Sequence, residues 1–205
     1  VSVYKLSNAG GLKAKTVYTS FLAGNSTYVP PFVPSGAYDS IATTTVGTGG
    51  ASTITFSSIP QTYKHLQLRI LVQGTSSFDS PFLPVQLNGV TAASYAFHRF
   101  WGDGSTATYQ TSANQNYIVL PRFVDTGNAG YANKFGAMIV DIADYSSTTK
   151  TKTILATGGF DSNGAGQIGF NSGLFNNTSA ITSITFDTSG VAQYSQFALY
   201  GIKGD

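Results

Sequence analysis

The run IATTTVGTGGASTITFSSIPQTYKHLQLRILVQG, from Ile41 to Gly74, decides the fold class. Within it Leu66, Leu68, Ile70 and Val72 recur at every second position, with Gln67, Arg69 and Gln73 between them. An extended chain sends successive side chains to opposite faces, so this segment reads as a strand with one apolar and one mostly wettable face. Upstream, Ile41–Val46 and Thr53–Ser57 are β-branched, polar-alternating runs around Gly47, Gly49 and Gly50. That pattern suits two strands joined in a hairpin by a glycine turn. The apolar face of the Leu66 strand needs a second sheet to cover it, which already implies two layers.

Strand and turn signals continue without interruption. Phe82–Asn88, Ser94–Trp101, Asn116–Pro121, Phe135–Ile142, Thr151–Thr157, Gln167–Gly173, Ser179–Phe186 and Tyr194–Lys203 are short apolar or alternating runs bounded by Gly, Ser, Asn and Asp. Ten or eleven such strands, with no segment of helical periodicity between them, predict an all-β, two-sheet antiparallel sandwich of jelly-roll or Greek-key type over 38–205. The last strand carries Tyr194, Gln196, Ala198, Tyr200 and Ile202 on one face and Phe197 and Leu199 on the other. Apolar groups on both faces suit a strand inside its sheet or one in contact with another subunit.

Composition supports this class. Only 10% of the 205 residues are charged, while 14 Phe and 12 Tyr supply material for a core. All nine acids are Asp, which favours turns over helices, and Glu is absent. A net charge of +2, with no basic cluster denser than Lys13/Lys15 or Lys150/Lys152, argues against a nucleic-acid partner. With no cysteine, stability has to come from packing or association. No apolar run is long enough for a membrane helix, and the first residues lack the order of a secretory signal. The expectation is therefore no membrane partner and, if the protein leaves its cell, a route other than secretion.

Residues 1–37 read differently. Tyr4, Leu6, Leu12, Tyr18, Phe21, Leu22, Tyr28 and Phe32 follow neither a period of 2 nor one of 3.6, and Pro30, Pro31 and Pro34 enforce an extended connection. This predicts an N-terminal assembly arm whose aromatic groups need cover from the domain, a sister copy or a larger assembly.

Candidate chemistry is sparse. Asp141 and Asp144 could serve as paired carboxylates if the chain turns after Ile142, but a turn-forming Asp144 is the plainer reading. The DSNG run at 161–164 has part of a calcium loop and lacks its distal bidentate acid, so it reads as a turn. Neither His65 nor His98 has a nucleophile motif nearby, and no enzyme, cofactor or metal is expected. NST at 25–27 and NNTS at 176–179 match glycosylation acceptors, of a kind that arises readily in a Ser/Thr-rich chain. His98, Arg99, Phe100, Trp101, Asp103 and Tyr109 form a polar-aromatic group beside a glycine loop. Aromatic faces against sugar C–H surfaces and polar groups on hydroxyls make that group the candidate glycan site, set against ordinary aromatic packing.

The arm motif YTSFLAGN at 18–25, the block YDSIATTTVGTGGASTITFSSIPQTYKHLQLRI at 38–70, IVDIADY at 139–145 with TKTKTI at 149–154, and the end SAITSITFDTSGVAQYSQFALYGIK at 179–203 carry a resemblance. Together they resemble small β-sandwich virion proteins of tailed bacteriophages from aquatic environments. The resemblance implies a capsid decoration or cement protein, or alternatively a tail-fibre module that recognises host glycans. It implies the major capsid protein or other virion proteins as partners, and a virion location reached by assembly in the host cytoplasm and release by lysis. Virion parts usually follow local symmetry, which implies association with its own kind as a trimer or dimer.

Overall fold

The computed structural model describes residues 36–75, 82–125 and 129–204. The expected arm over 1–37, with its residues from Tyr4 to Phe32, lies outside the described residues except for 36 and 37. The strands are β1 (Tyr38–Thr45), β2 (Ala51–Phe56), β3 (His65–Gly74), β4 (Phe82–Leu87), β5 (Tyr95–Gly102), β6 (Ala107–Gln115) and β7 (Ile118–Arg122). They are followed by β8 (Val124–Asp125), β9 (Gly136–Ile142), β10 (Lys152–Asp161), β11 (Gly166–Phe175), β12 (Ile184–Val191) and β13 (Gln196–Ile202). All belong to the unit Ala37–Asp205.

The sandwich expected from the alternation is present. A broad sheet has the order β6-β5-β11-β10-β9-β3-β13-β1, and a smaller one has the order β2-β12-β4-β7. The layers join at the end of β3, where Gly74 pairs with Val191 of β12 and Gln73–Gly74 runs parallel to β8.

The expected β1–β2 hairpin does not form. β1 pairs with β13 in the broad sheet, whereas β2 pairs with β12 in the small one, so the chain crosses between layers at Gly47–Gly50. Gly50 makes that corner possible. Its φ is +77°, and a Cβ there would sit 2.5 Å from the Val191 carbonyl oxygen. A glycine turn marks a change of direction, but the partner of each flanking strand is decided by which layer buries its apolar side.

Between the sheets, β3 contributes Leu66, Leu68, Ile70 and Val72, all buried, as a two-faced strand flanked by β9 and β13 requires. They meet Phe197 and Leu199 of β13, Met138 and Val140 of β9, and Ile54, Val85, Leu120 and Phe186 from the other layer. Each such side chain is worth roughly 1.5–3 kcal/mol when fully withdrawn from water. Phe186 and Phe197 pack across the layers with ring centres 5.2 Å apart. Tyr95 stacks on Phe175 at 5.0 Å, and its hydroxyl accepts the Leu87 N–H at 2.9 Å. Burial raises the Tyr95 pKa, which keeps its proton on and available to the nearby Leu87 or Val90 carbonyls.

Candidate functional site

Strand alternation sorts the polar-aromatic group into two places. β5 pairs with β6 so that His98 faces Thr111, Arg99 faces Gln110, Phe100 faces Tyr109 and Trp101 faces Thr108. His98, Phe100 and Tyr109 consequently lie on the outer side of the broad sheet, and Arg99 and Trp101 turn towards the small sheet. Asp103 joins neither group. Its Oδ1 accepts the N–H groups of Ser105 at 2.9 Å and Thr106 at 2.7 Å, closing the β5–β6 turn, and these bonds lower its pKa.

On the outer side the register builds a row directly across the sheet. Tyr109 of β6, Phe100 of β5, Phe170 of β11, Thr157 of β10, Ile139 of β9 and Arg69 of β3 are opposed pairwise in succession. The neighbouring row runs Thr111, His98, Ser172, Leu155, Asp141 and Gln67. An aromatic-rich row thus lies beside a row with hydrogen-bonding groups. Tyr109 is 84% exposed, Phe100 48%, Phe170 53%, Leu155 56% and Ile168 57%, values unusual for large apolar groups concentrated on one face. Two open grooves cross this face, with volumes of ≈ 740 and ≈ 870 Å³, and share Ile139 and Thr157. The first is walled by Phe100, Tyr109, Phe170 and Leu155, and the second by Leu71, Phe160 and Ile168 over a floor at Gly159.

On the inner side, the Arg99 guanidinium lies 3.6 Å from the Phe82 ring centre and 4.7 Å from that of Trp101. Arg122 of β7 lies 4.5 and 5.3 Å from the same two rings. Burial, and after it the neighbouring charge of Arg122, lowers the Arg99 pKa to about 10. Among the described residues no ion pair joins either arginine to a carboxylate. Arg99 Nη2 donates to Gln110 Oε1, while Arg99 Nε and Nη1 and Arg122 Nε are buried without an acceptor among the described residues. The aromatic faces offset part of that electrostatic cost. This is a packed cationic cage, not an open sugar platform.

The two carboxylates of IVDIADY do not converge. Asp141 points out of β9 and accepts Gln67 Nε2 at 2.8 Å. Asp144 sits in the following turn with φ +46°, held by Lys64 at 2.9 Å and Lys150 at 2.7 Å, which lower its pKa to about 2. His65 Nδ1 accepts the Asp144 N–H at 3.0 Å, an arrangement that orders the turn. Asp161 Oδ1 accepts the Gly164 N–H in the β10–β11 turn, as the DSNG run suggested. Asn177 Oδ1 likewise accepts the Ser179 N–H. Among the described residues no three metal-ligating side chains come together.

No family model and no curated protein matches the chain. Among solved structures, the galectin LEC-6 of Caenorhabditis elegans is similar over 79% of this chain and 96% of its own, at 10% identity and a TM-score of 0.31. A score that low carries no inference about function.

Phe170, Leu155, Ile139 and Ile168 escaped the sequence reading because each is an ordinary apolar residue in its own strand. Only the lateral order of β9, β10 and β11 makes them neighbours. Phe82 and Arg122 escaped for the same reason, since each comes to Arg99 from the opposite layer.

Proposed function

We propose that the protein is a structural subunit of a bacteriophage particle, a capsid decoration or cement protein whose outer broad-sheet face seats against a neighbouring virion protein. The observation that carries this reading is the concentration of exposed Phe100, Tyr109, Phe170, Leu155, Ile139 and Ile168 on one face. The phage setting comes from the sequence resemblance. Contact across such a face gains about 25 cal/mol per Å² of apolar area, less the cost of immobilising the partners. The arm over 1–37 is the second attachment element in this reading.

The test uses undecorated heads and purified full-length protein. Wild type binds and raises the temperature at which heads rupture, while Phe100→Ser/Phe170→Ser binds at least tenfold more weakly with its own melting little changed. Equal occupancy by the two proteins, or no binding by wild type, overturns the proposal.

A second reading has its own observation. Tyr109, Phe100 and Phe170 lie beside Thr111, His98 and Ser172, so rings and hydrogen-bonding groups share the ≈ 740 Å³ groove. A fibre module could hold a host-surface glycan there. Phe100→Ala discriminates, where Trp101 on the inner side does not. Lost host adsorption with heat-stable particles supports glycan recognition, and the reverse supports cement.

A further inference from the structure

Among the described residues, and leaving aside the two-residue β8 beside β3, the broad sheet ends at β1 and β6 and the small one at β2 and β7, and these four edges are not alike. β1 has its ladder interrupted by a bulge between Ser40 and Ala42 and carries Asp39 paired to Lys203 at 2.7 Å. β7 is five residues long and contains Pro121 and Arg122. β2 is six residues long, and the ladder to β12, its only neighbour among the described residues, is broken between Asp187 and Val191. Bulges, charges, proline and shortness are the devices by which sheet edges avoid joining other chains.

β6 has fewer of them. It is nine residues, ATYQTSANQ, with no charge and no proline, mostly exposed, and paired among the described residues with β5 alone. Its ladder is regular from Ala107 to Ser112, and the departure comes beyond, at Asn114 with φ +56°. The outward N–H and C=O groups of that run form a template for another strand.

From this contrast we infer that β6 is a self-association edge, pairing antiparallel with β6 of a second copy of this chain. A second copy is the fitting occupant because the strand is neutral, so a two-fold axis brings no like charges face to face. Keeping both outer faces on the same side requires opposed residues to share parity. Overlap of 107–113 then places the axis at Gln110, with Tyr109 opposite Thr111 of the copy, Thr108 opposite Ser112 and Ala107 opposite Ala113. The broad sheet continues from one molecule into the next, and the aromatic row ending at Tyr109 continues with it. This association needs no virion and stands whether or not the decoration reading holds.

The test is sedimentation of the full chain with a cysteine scan. Wild type is a dimer, and Tyr109→Lys/Thr111→Lys, which sets lysine opposite lysine twice across the axis, raises the dissociation constant about tenfold or more. Both positions are exposed, so melting of the variant at low concentration stays near that of wild type. The natural chain has no cysteine. Single-cysteine variants along 107–113 therefore report one position each, and oxidative cross-linking peaks at Gln110→Cys, where opposed Cα atoms lie roughly 4.5–5.5 Å apart, within disulfide range. A wild-type monomer at all concentrations, an unaffected double-lysine dimer, or a dimer without a cross-linking peak in β6 overturns the inference. A monomer whose residue-111 amide is protected from exchange also overturns it, assigning the edge to another segment of the same chain.

Discussion

Arg99 and Arg122 place two guanidinium groups over one ring, that of Phe82, at 3.6 and 4.5 Å. Each gains from the aromatic face and each opposes the other, because burial strips away the water that would screen them. A double-mutant cycle with Arg99→Met and Arg122→Met should return a repulsive coupling of about 0.5–1 kcal/mol, since neighbouring charges are not additive. Urea unfolding at low and high salt reads it. An attractive coupling, or one that grows with salt, contradicts the geometry.

Asp144 predicts an acid limb of known sign. Its pKa falls from an ordinary 3.8 to about 2 through Lys150 and Lys64. A carboxylate with a depressed folded value contributes stability that is complete above the unfolded value and is lost as pH falls through the folded one. Between pH 4 and 2, wild type should therefore lose part of its thermal midpoint that Asp144→Asn does not lose. Parallel midpoint curves for the two proteins across that window would remove the ion pairs from the account.

Lys152 predicts the opposite limb. Its side chain is fully buried, with Nζ donating to the carbonyls of Lys150 at 2.6 Å and Thr178 at 3.1 Å, and burial lowers its pKa from 10.5. The unfolded chain then holds this proton more tightly than the folded one, so stability rises with pH up to the unfolded value. The midpoint of wild type minus that of Lys152→Met should increase from pH 7 towards 10.5. Tyr95 and Tyr145, whose pKa values burial raises, act with the other sign above 10 and cancel in the difference.

The sandwich was legible wherever a strand buries one face. Leu66 to Val72 announces itself because four alternate residues leave water together. β6 was not legible: ATYQTSANQ buries almost nothing, so no period of two distinguishes it from a loop. The site was half legible. His98 to Trp101 stands out in the sequence as a group, yet alternation sends consecutive residues to opposite faces, and that division follows from the same rule that identifies β3. Which strands lie side by side was not legible, and the outer aromatic row depends on it. Phe100, Phe170 and Ile139 are separated by 70 and 31 positions and come into line only through β10 and β11.

The final strand should be indispensable. β13 lies between β1 and β3, pairing with both, so its loss opens two ladders at once and removes Phe197 and Leu199, both fully buried. Deleting buried side chains of this size costs about 2–5 kcal/mol each, which for two matches the whole stability of an ordinary domain. A chain ending at Ser195 should show no cooperative urea transition by circular dichroism, whereas one ending at Lys203 should unfold like wild type. Cooperative unfolding of the shorter chain would mean that β1 can pair directly with β3, a closure that the inward Ala42 and Thr44 of β1 are too small to complete as Phe197 and Leu199 do.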